Sequence, residues 1–595
     1  MSHRSTGKAG RARERSDAQR TTPAAIVPAA PASLLLIAWC TLAALVLFGY
    51  AHTLRQGFSN DDYLIFREVV LHPASLVLAW TRLIGGYWRP WSREFHFWSL
   101  HQLFGLNATA FHVANMVLWL GVLATLLAWA RRITDARVAV LVVSGAFAAS
   151  SWGVYVVWAS CSQDLWMLLF GALFLLAQSS GRRVLATLSL VVALLSKETA
   201  VLVLAVGVWT QFVLRGREGL RPRAWFGPVL VVLAWALVHP SIGGHAFFGL
   251  AESFDPAPAR ELSVSGLRFA LAPLNLETWP KPQQGWPRAL VEGAIWAAAL
   301  GTLAWSVLRG VPAKRNVFPQ RRKWILLGIG WWAIGWLPLT LSVLPWHSYY
   351  GWFGLCGAWL AVVACLLPRP RVLVALIVIV AGLRPAATQT FVATQAYGDD
   401  WGTELRQGLA ARRAQRICEQ LLAFHPTLPP GSRIVVAGVP GGSGLLTGPR
   451  SSAAAEVWYH DTTVAMVGLS EYWRRGAGEI TGPDYFYVLD REQRMYPLGT
   501  GTIPVPDSLR TLSEWVSTEE IVGATLAQVG DWERARDIFA RLALTFPREA
   551  RAAFNLGVAH KQLGDSVRAM SWLNRADSLV GAPPSGGRGF VAKYR

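Results

Sequence analysis

Four short stretches place carboxylates and cations where the surrounding chain is apolar or aromatic. Asn60-Asp61-Asp62-Tyr63 carries adjacent acids, and Tyr87-Trp88-Arg89-Pro90 carries a cation among rings. Trp158 to Asp164 is a Ser/Cys/Gln/Asp turn, and Leu195-Ser196-Lys197-Glu198-Thr199 sets a base beside an acid. Two further stretches, around His112 and His347-Ser348-Tyr349-Tyr350, add imidazole and phenol groups. A carboxylate can take a proton from a nucleophile, and fixed cations can hold a departing anion. Asp61 and Asp62 are also acids of the kind a divalent cation uses, although two adjacent carboxylates do not by themselves make a metal site. Each stretch has a plainer reading as well. The acids can cap the next helix, Lys197 and Glu198 can form an ion pair that tolerates burial, and a lone His112 can be a packed interfacial residue. What weighs against the plainer readings is convergence, because the topology below sends all of the charged groups to one end of one bundle.

The elements that position them are membrane helices. The chain has 595 residues, of which 53% are hydrophobic and 15% charged. A soluble chain carries about 25% charged residues, and the deficit lies between residues 32 and 383. Apolar runs near 32–52, 108–130, 138–158, 165–180, 184–196, 199–214, 225–239, 289–308, 324–345, 352–367 and 371–387 predict eleven spans, each helical because backbone groups in hydrocarbon must bond internally. The fifth and sixth are short and meet near the outer surface at Ser196-Lys197-Glu198. Residues 1–31 read as a disordered basic arm ahead of a retained first helix, since a signal peptide has a shorter charged region and a small-residue cleavage site.

The net charge of +20 is divided into short clusters between apolar runs, which excludes a nucleic-acid face and fits the positive-inside rule. Arg131, Arg132 and Arg137; Arg182 and Arg183; Arg215 to Arg223; Arg309 to Lys323; and Arg369 and Arg371 all fall on the side of the N-terminal arm. The N-terminus is therefore expected in the cytoplasm of a plasma (inner) membrane protein, with the tail outside. Loops 53–107 and 240–288, rich in aromatic residues and proline, are expected at the outer interface. Five unpaired-looking cysteines support neither a disulfide framework nor a zinc site.

Beyond the spans, 388–512 reads as a small α/β domain: a helix from Gly402 to Phe424, a strand at Arg433–Ala437 and another at 485–490. The glycine run 438–444 lacks the Gly-Lys-Ser/Thr ending of a nucleotide loop and reads as a turn. Within 513–580, Gly530-Asp531-Trp532 returns as Gly564-Asp565-Ser566, 34 residues on. That period and the small residues at Ala553, Gly557 and Ala559 match a tetratricopeptide-type repeat. Fewer than three repeats are present, so the unit is expected to pack on the rest of the tail. Residues 581–595 read as a flexible end.

Taken in order, Ser59-Asn60-Asp61-Asp62, Trp88-Arg89-Pro90, Phe104-Gly105, Phe111-His112, Asn115, Trp158 to Leu165 and Leu194 to Thr199 resemble the GT-C glycosyltransferases. The chain is most similar to the protein O-mannosyltransferase-like branch that joins a membrane bundle to tetratricopeptide repeats. The likeness covers residues 33–385 and the C-terminal repeat. His347 to Gly351 resembles a later loop in which the family often has an Arg-Tyr motif; no Arg stands there in this chain. The resemblance implies a mainly α, polytopic GT-C-like bundle that uses a polyprenyl-phosphate-linked sugar donor. Hexosyl transfer to a protein, lipid or glycan acceptor outside the cytoplasm follows from the same likeness. It further implies Asp61 or Asp62 as base, and Arg89 and Lys197 as holders of the phosphate. Asp164 and Glu198 would orient those cations or bind sugar hydroxyls, and His112, His347 and Tyr349 would line the substrate site. This reading fixes no cofactor and leaves a divalent cation at Asp61 and Asp62 open, and the repeats could bind a protein partner. Two other classes stay open on the residues alone: a membrane anchor that displays the repeats, and a transporter or flippase. The latter usually keeps its charges near the midplane and shows inverted repeats.

Overall fold

The computed structural model describes residues 32–80, 87–239, 259–277, 280–283, 285–309, 320–340, 347–390, 403–437, 445, 453–468, 482–489, 494–497, 520, 522–524, 526–527 and 530–580. The basic arm, the glycine run 438–444, residues 240–258 of the second long loop and the terminal 581–595 lie outside them. The first part of the chain is helical throughout. In order come α1 (Ala32–Tyr50), α2 (Asp61–Phe66), α3 (His96–Phe104), α4 (Ala108–Ile133), α5 (Ala136–Ala148), α6 (Ser162–Ser179) and α7 (Arg183–Leu194). They are followed by α8 (Val201–Arg215), α9 (Pro222–Val238), α10 (Trp286–Leu308), α11 (Arg321–Trp336), α12 (Ser348–Leu366) and α13 (Pro370–Thr388).

Among the described residues, seven helices are long and apolar enough to cross a membrane, and a bent pair makes an eighth. The protein is thus a mainly α, polytopic membrane chain. Where the residues are described, the eleven expected runs are helical, but not all reach spanning length; residues 341–345 of the ninth lie outside the described residues. The run 138–158 breaks by 72° between Ala148 and Ser150. α7 and α9 are shorter apolar helices, and α11 ends after 16 residues. The break after α5 has a local cause. Asn275 donates to the carbonyls of Ala148 and Val380 and accepts from the Ser150 amide, so a side chain takes over backbone bonds that the helix would otherwise make. The bundle core is built on Trp119, Trp152, Trp352 and Trp359, all fully buried. α11 and α12 approach backbone to backbone at Gly335 and Gly354, where a Cβ on Gly335 would strike the Gly354 backbone.

The tail begins with α14 (Glu404–Phe424) and continues through β1 (Arg433–Ala437), α15 (Ala453–Tyr459), β2 (Ala465–Gly468), β3 (Asp484–Leu489) and β4 (Met495–Pro497). The sheet order is β2-β1-β3-β4, with β1 parallel to both neighbours and β4 antiparallel to β3. Then come α16 (Trp532–Thr545), α17 (Ala550–Gln562) and α18 (Ser566–Val580). The 34-residue period appears as the same turn made twice. Gly530 and Gly564 both take positive φ, at 84° and 82°, and Asp531 and Asp565 each accept from the amide three residues on.

Two cores fix where the tail sits. Phe58, Tyr63, Ile65, Phe66, Phe97 and Phe111 of the first loop region share one with Ala414, Ile417, Leu421, Ile434 and Val436 of the tail. The other face of the sheet, through Val435, packs with Phe539, Leu542 and Leu556 of the repeat helices. The small α/β unit therefore lies between the first loop and the repeats.

Candidate active site

The carboxylates of Asp61 and Asp62 are adjacent in sequence but differ in surroundings. Asn60 precedes α2 at φ 50°, ψ −123°, a conformation that costs a non-glycine residue free energy and needs support from outside. The support comes from Gln407 of α14, fully buried, whose Oε1 accepts from Asn60 Nδ2 at 2.7 Å and from Ser59 Oγ at 3.2 Å. Within this turn Asp62 is 1% exposed. Its Oδ2 accepts from the Ser59 amide at 2.9 Å, and its Oδ1 accepts from the Ser160 amide at 2.8 Å and from the Ser160 hydroxyl. Both oxygens are thereby committed to joining the first loop to the 159–161 turn. Asn115 shapes that turn from below, donating to the carbonyls of Tyr155 and Trp158 at 3.0 and 2.9 Å.

Asp61, by contrast, is only partly buried and has no hydrogen-bond or ion-pair partner among the described residues. Burial raises its pKa above the ordinary carboxylate value, and the nearby positive charges of Arg93 and Arg89 work against that rise. Burial also pushes Asp62 up to about 7, against the hydrogen bonds from Ser160 and Ser59. With the Asp62 oxygens turned to Ser59 and Ser160, the two acids do not form a chelating pair. Among the described residues no three His, Cys, Asp or Glu side chains group as a metal site would require.

The cations form a second layer. Arg89 directs Nε and Nη2 onto Glu198 at 3.0 and 2.7 Å and Nη1 onto Gln163 at 2.6 Å, with its guanidinium 4.4 Å from the Tyr87 ring centroid. Lys197 donates to Asp164 at 2.6 Å, and its ammonium lies 4.6 Å from the Tyr350 ring and 5.6 Å from that of Tyr349. α7 ends at Leu194 and Lys197 is extended (φ −162°), so the two residues leave the helical path and face the 89–94 segment. That segment is stitched to the break by Ser92 Oγ to the Ser196 carbonyl at 2.7 Å and by the Trp91 amide to the Leu195 carbonyl at 3.3 Å. His347, 4% exposed, lies against Tyr349 with ring centroids 5.8 Å apart. Burial and the charge of Lys197 hold its pKa down to about 4, so this imidazole is neutral.

The structure therefore brings Asp61, Arg89, Asp164, Lys197, Glu198, His347 and Tyr349 into one region, from segments more than 280 residues apart. Asp62 lies beneath them with both carboxylate oxygens turned to Ser59 and Ser160. His112 is buried, with Nδ1 3.2 Å from the Val156 carbonyl, and it supports the same turn as Asn115. Several contributors carried no readable signal in sequence. Arg93 and Glu94 lie buried beside Arg89, their Nε and Oε1 2.9 Å apart in an alignment that makes an ion pair and not a hydrogen bond. Gln163 and Ser160 sit in a turn whose sequence singled out only Asp164. Gln407 lies on a helix whose periodicity gave no reason to connect it with Asn60.

No family model matches this sequence, and no curated protein matches it. Two solved structures do. The crystal structure of ArnT from Cupriavidus metallidurans bound to undecaprenyl phosphate is 14% identical, with 78% of this chain and 94% of that chain covered at a TM-score of 0.36. The same protein in the apo state is 15% identical over 76% of this chain and 92% of its own, also at a TM-score of 0.36. A similarity of that degree assigns no chemistry to this chain.

Proposed function

We propose that the protein is a membrane glycosyltransferase of GT-C type, which moves a hexosyl unit from a polyprenyl-phosphate carrier to an acceptor hydroxyl at the outer face of the plasma membrane. The observation that supports this most is the division of labour between the two acids. One is tied at both oxygens, and the other is left unpartnered beside a layer of fixed cations. In the reaction, Asp61 takes the proton of the acceptor hydroxyl as its oxygen bonds to C1 of the sugar. The bond from C1 to the phosphate oxygen breaks, and the phosphate leaves with the electron pair. Lys197 and Arg89 hold the charge that develops on it, each kept in place by its own acid, Asp164 or Glu198. The exterior assignment is supported by the shared core of the first loop and the tail. Two segments that pack together lie on the same side of a membrane, and the basic loops favour the outside for both.

The test is transfer from a panel of polyprenyl-phosphate sugars by the full chain in liposomes. Asp61→Asn should lower transfer by about 10²- to 10⁴-fold while leaving the melting temperature in place. Asp62→Asn puts an NH2 or an amide oxygen where three donors converge, so it should act first on stability, by about 1–3 kcal/mol. Full transfer by Asp61→Asn would remove the base and the proposal with it.

A further inference from the structure

A cavity of about 450 Å³ opens at the same end of the bundle, outside the group of Asp61, Arg89 and Lys197. Five distant segments build it: the end of α1 and the residues after it (His52, Gln56), Val157, the start of α10 (Glu292), the end of α13 (Gln389) and one face of α14 (Glu404). The volume falls within the range of small-ligand sites, about 300–1,000 Å³. The walls are mainly polar, which rules out a slot for a hydrocarbon tail.

Its polar groups are fixed in place and incompletely used. Glu292 Oε1 accepts from Arg288 Nε at 2.8 Å, and its Oε2 accepts from Gln389 Nε2 at 3.2 Å. That bond orients the Gln389 carboxamide and leaves its Oε1 without a partner among the described residues, although Gln389 is only 8% exposed. Gln56, 5% exposed, likewise has an unpartnered Oε1. Glu404 is held by the Tyr50 hydroxyl at 2.7 Å. An unmade bond of this kind is destabilising, and buried polar atoms are seldom left so unless something outside the chain completes them. Gly408 keeps the space open, since a Cβ there would already touch the ends of Gln56 and Arg412 at 3.4 Å.

The mixture of groups selects the ligand. Two carboxamide oxygens lack donors, while Arg288, Arg412 and His52 bring N–H groups to the same cavity. A phosphate would set its negative charge against Glu292 and Glu404, and an ammonium group would face two arginines. A polyhydroxylated neutral molecule satisfies both sets. Gln56 precedes Asp61 by five residues, so the two Cα atoms are within about 18 Å even for an extended chain. α14 touches both places, with Gln407 on the Asn60 turn and Glu404, Gly408 and Arg412 on the cavity.

We infer that this cavity is a carbohydrate subsite, which holds a sugar residue of the acceptor while another of its hydroxyls reaches Asp61. The word acceptor rests on the glycosyl-transfer reading; sugar binding itself does not. The test is saturation-transfer NMR on the full-length protein in a sugar-free detergent, with methyl α-mannoside, methyl β-glucoside and methyl β-galactoside as probes and inorganic phosphate as competitor. At least one glycoside should bind, with affinity reduced tenfold or more in Gly408→Leu and in the double variant Gln56→Leu/Gln389→Leu, and phosphate should not displace it. Gln56→Leu removes an oxygen that has no partner among the described residues, so its melting temperature should not fall below the wild-type value, which serves as the folding control. Absence of glycoside binding, binding unaffected by these substitutions, or displacement by phosphate would each overturn the inference. Binding retained in Asp61→Asn together with lost transfer supports both readings. Binding retained in a chain whose transfer does not depend on Asp61 would leave a sugar site and remove the acceptor role.

Discussion

Asp61 and Asp62 show how far neighbours in sequence can diverge in chemistry. For Asp61 to act as a base it must be ionised, and burial raises its pKa while Arg93 and Arg89 restrain that rise. Activity should therefore fall as pH drops through a value above the ordinary carboxylate range. In Arg93→Gln, where one restraining charge is gone, the acidic limb should move to higher pH; a pH–rate profile with an unmoved or lowered limb would contradict the assignment. Asp62 makes the opposite kind of statement, about stability. Its folded-state pKa of about 7 lies above its ordinary 3.8, so the folded protein holds that proton more tightly than the unfolded chain does. The stabilisation this gives is complete below pH 3.8 and is lost as pH rises through about 7. Melting temperatures of wild type and Asp62→Asn should thus converge or cross as pH rises through that window. A difference that stays constant would show that Asp62 does not titrate there.

At the scale of elements, what positions the chemistry is a set of interruptions: the turn before α2, the break between α7 and α8, and the turn between Tyr155 and Ser162. The break after α7 was legible because Ser196-Lys197-Glu198 interrupts an apolar run, and so was the repeat turn at Gly530 and Gly564. The pairing of Arg89 with Glu198 and of Lys197 with Asp164 was not, because side-chain partners 109 and 33 residues apart leave no local pattern. Hydropathy also overstated the spans. It recorded apolar residues across 138–158, but the Asn275 side chain that breaks the helix there lies in another segment. Gln407 belongs to this scale as well, since one side chain of α14 secures the turn that aims Asp61. Gln407→Ala should lower kcat with little change in KM for the donor, and Gln407→Glu, which keeps an acceptor oxygen at that position, should restore part of it. Equal losses in both variants, carried by KM, would mean that the residue only packs.

Across the whole molecule, the membrane bundle and the tail are one cooperative body at their junction. Arg384 of α13, 2% exposed, donates to the Ala149 carbonyl at 2.5 Å and to the Tyr50 hydroxyl, with its guanidinium 4.2 Å from the ring of Trp152. Tyr50 passes the contact on to Glu404, and Gly153 leaves no room for a Cβ beside that carboxylate. Arg384→Met would strand Glu404 without a counter-charge, at about 3–5 kcal/mol. It should raise amide exchange along 404–424 before it affects the spans, and uniform protection in that variant would show that the junction does not depend on the arginine. Composition and basic loops announced a membrane bundle with a separate tail, but they could not announce this seam, because a hydrophobic period says which face of a helix is buried and not what it is buried against. The bond from Asn60 to Gln407 spans 347 residues. During synthesis Asp61 therefore emerges long before the residue that secures its turn has left the ribosome. If Asp61 is the base proposed above, a chain terminated before α14 carries the acid without the side chain that holds its turn and should show no transfer.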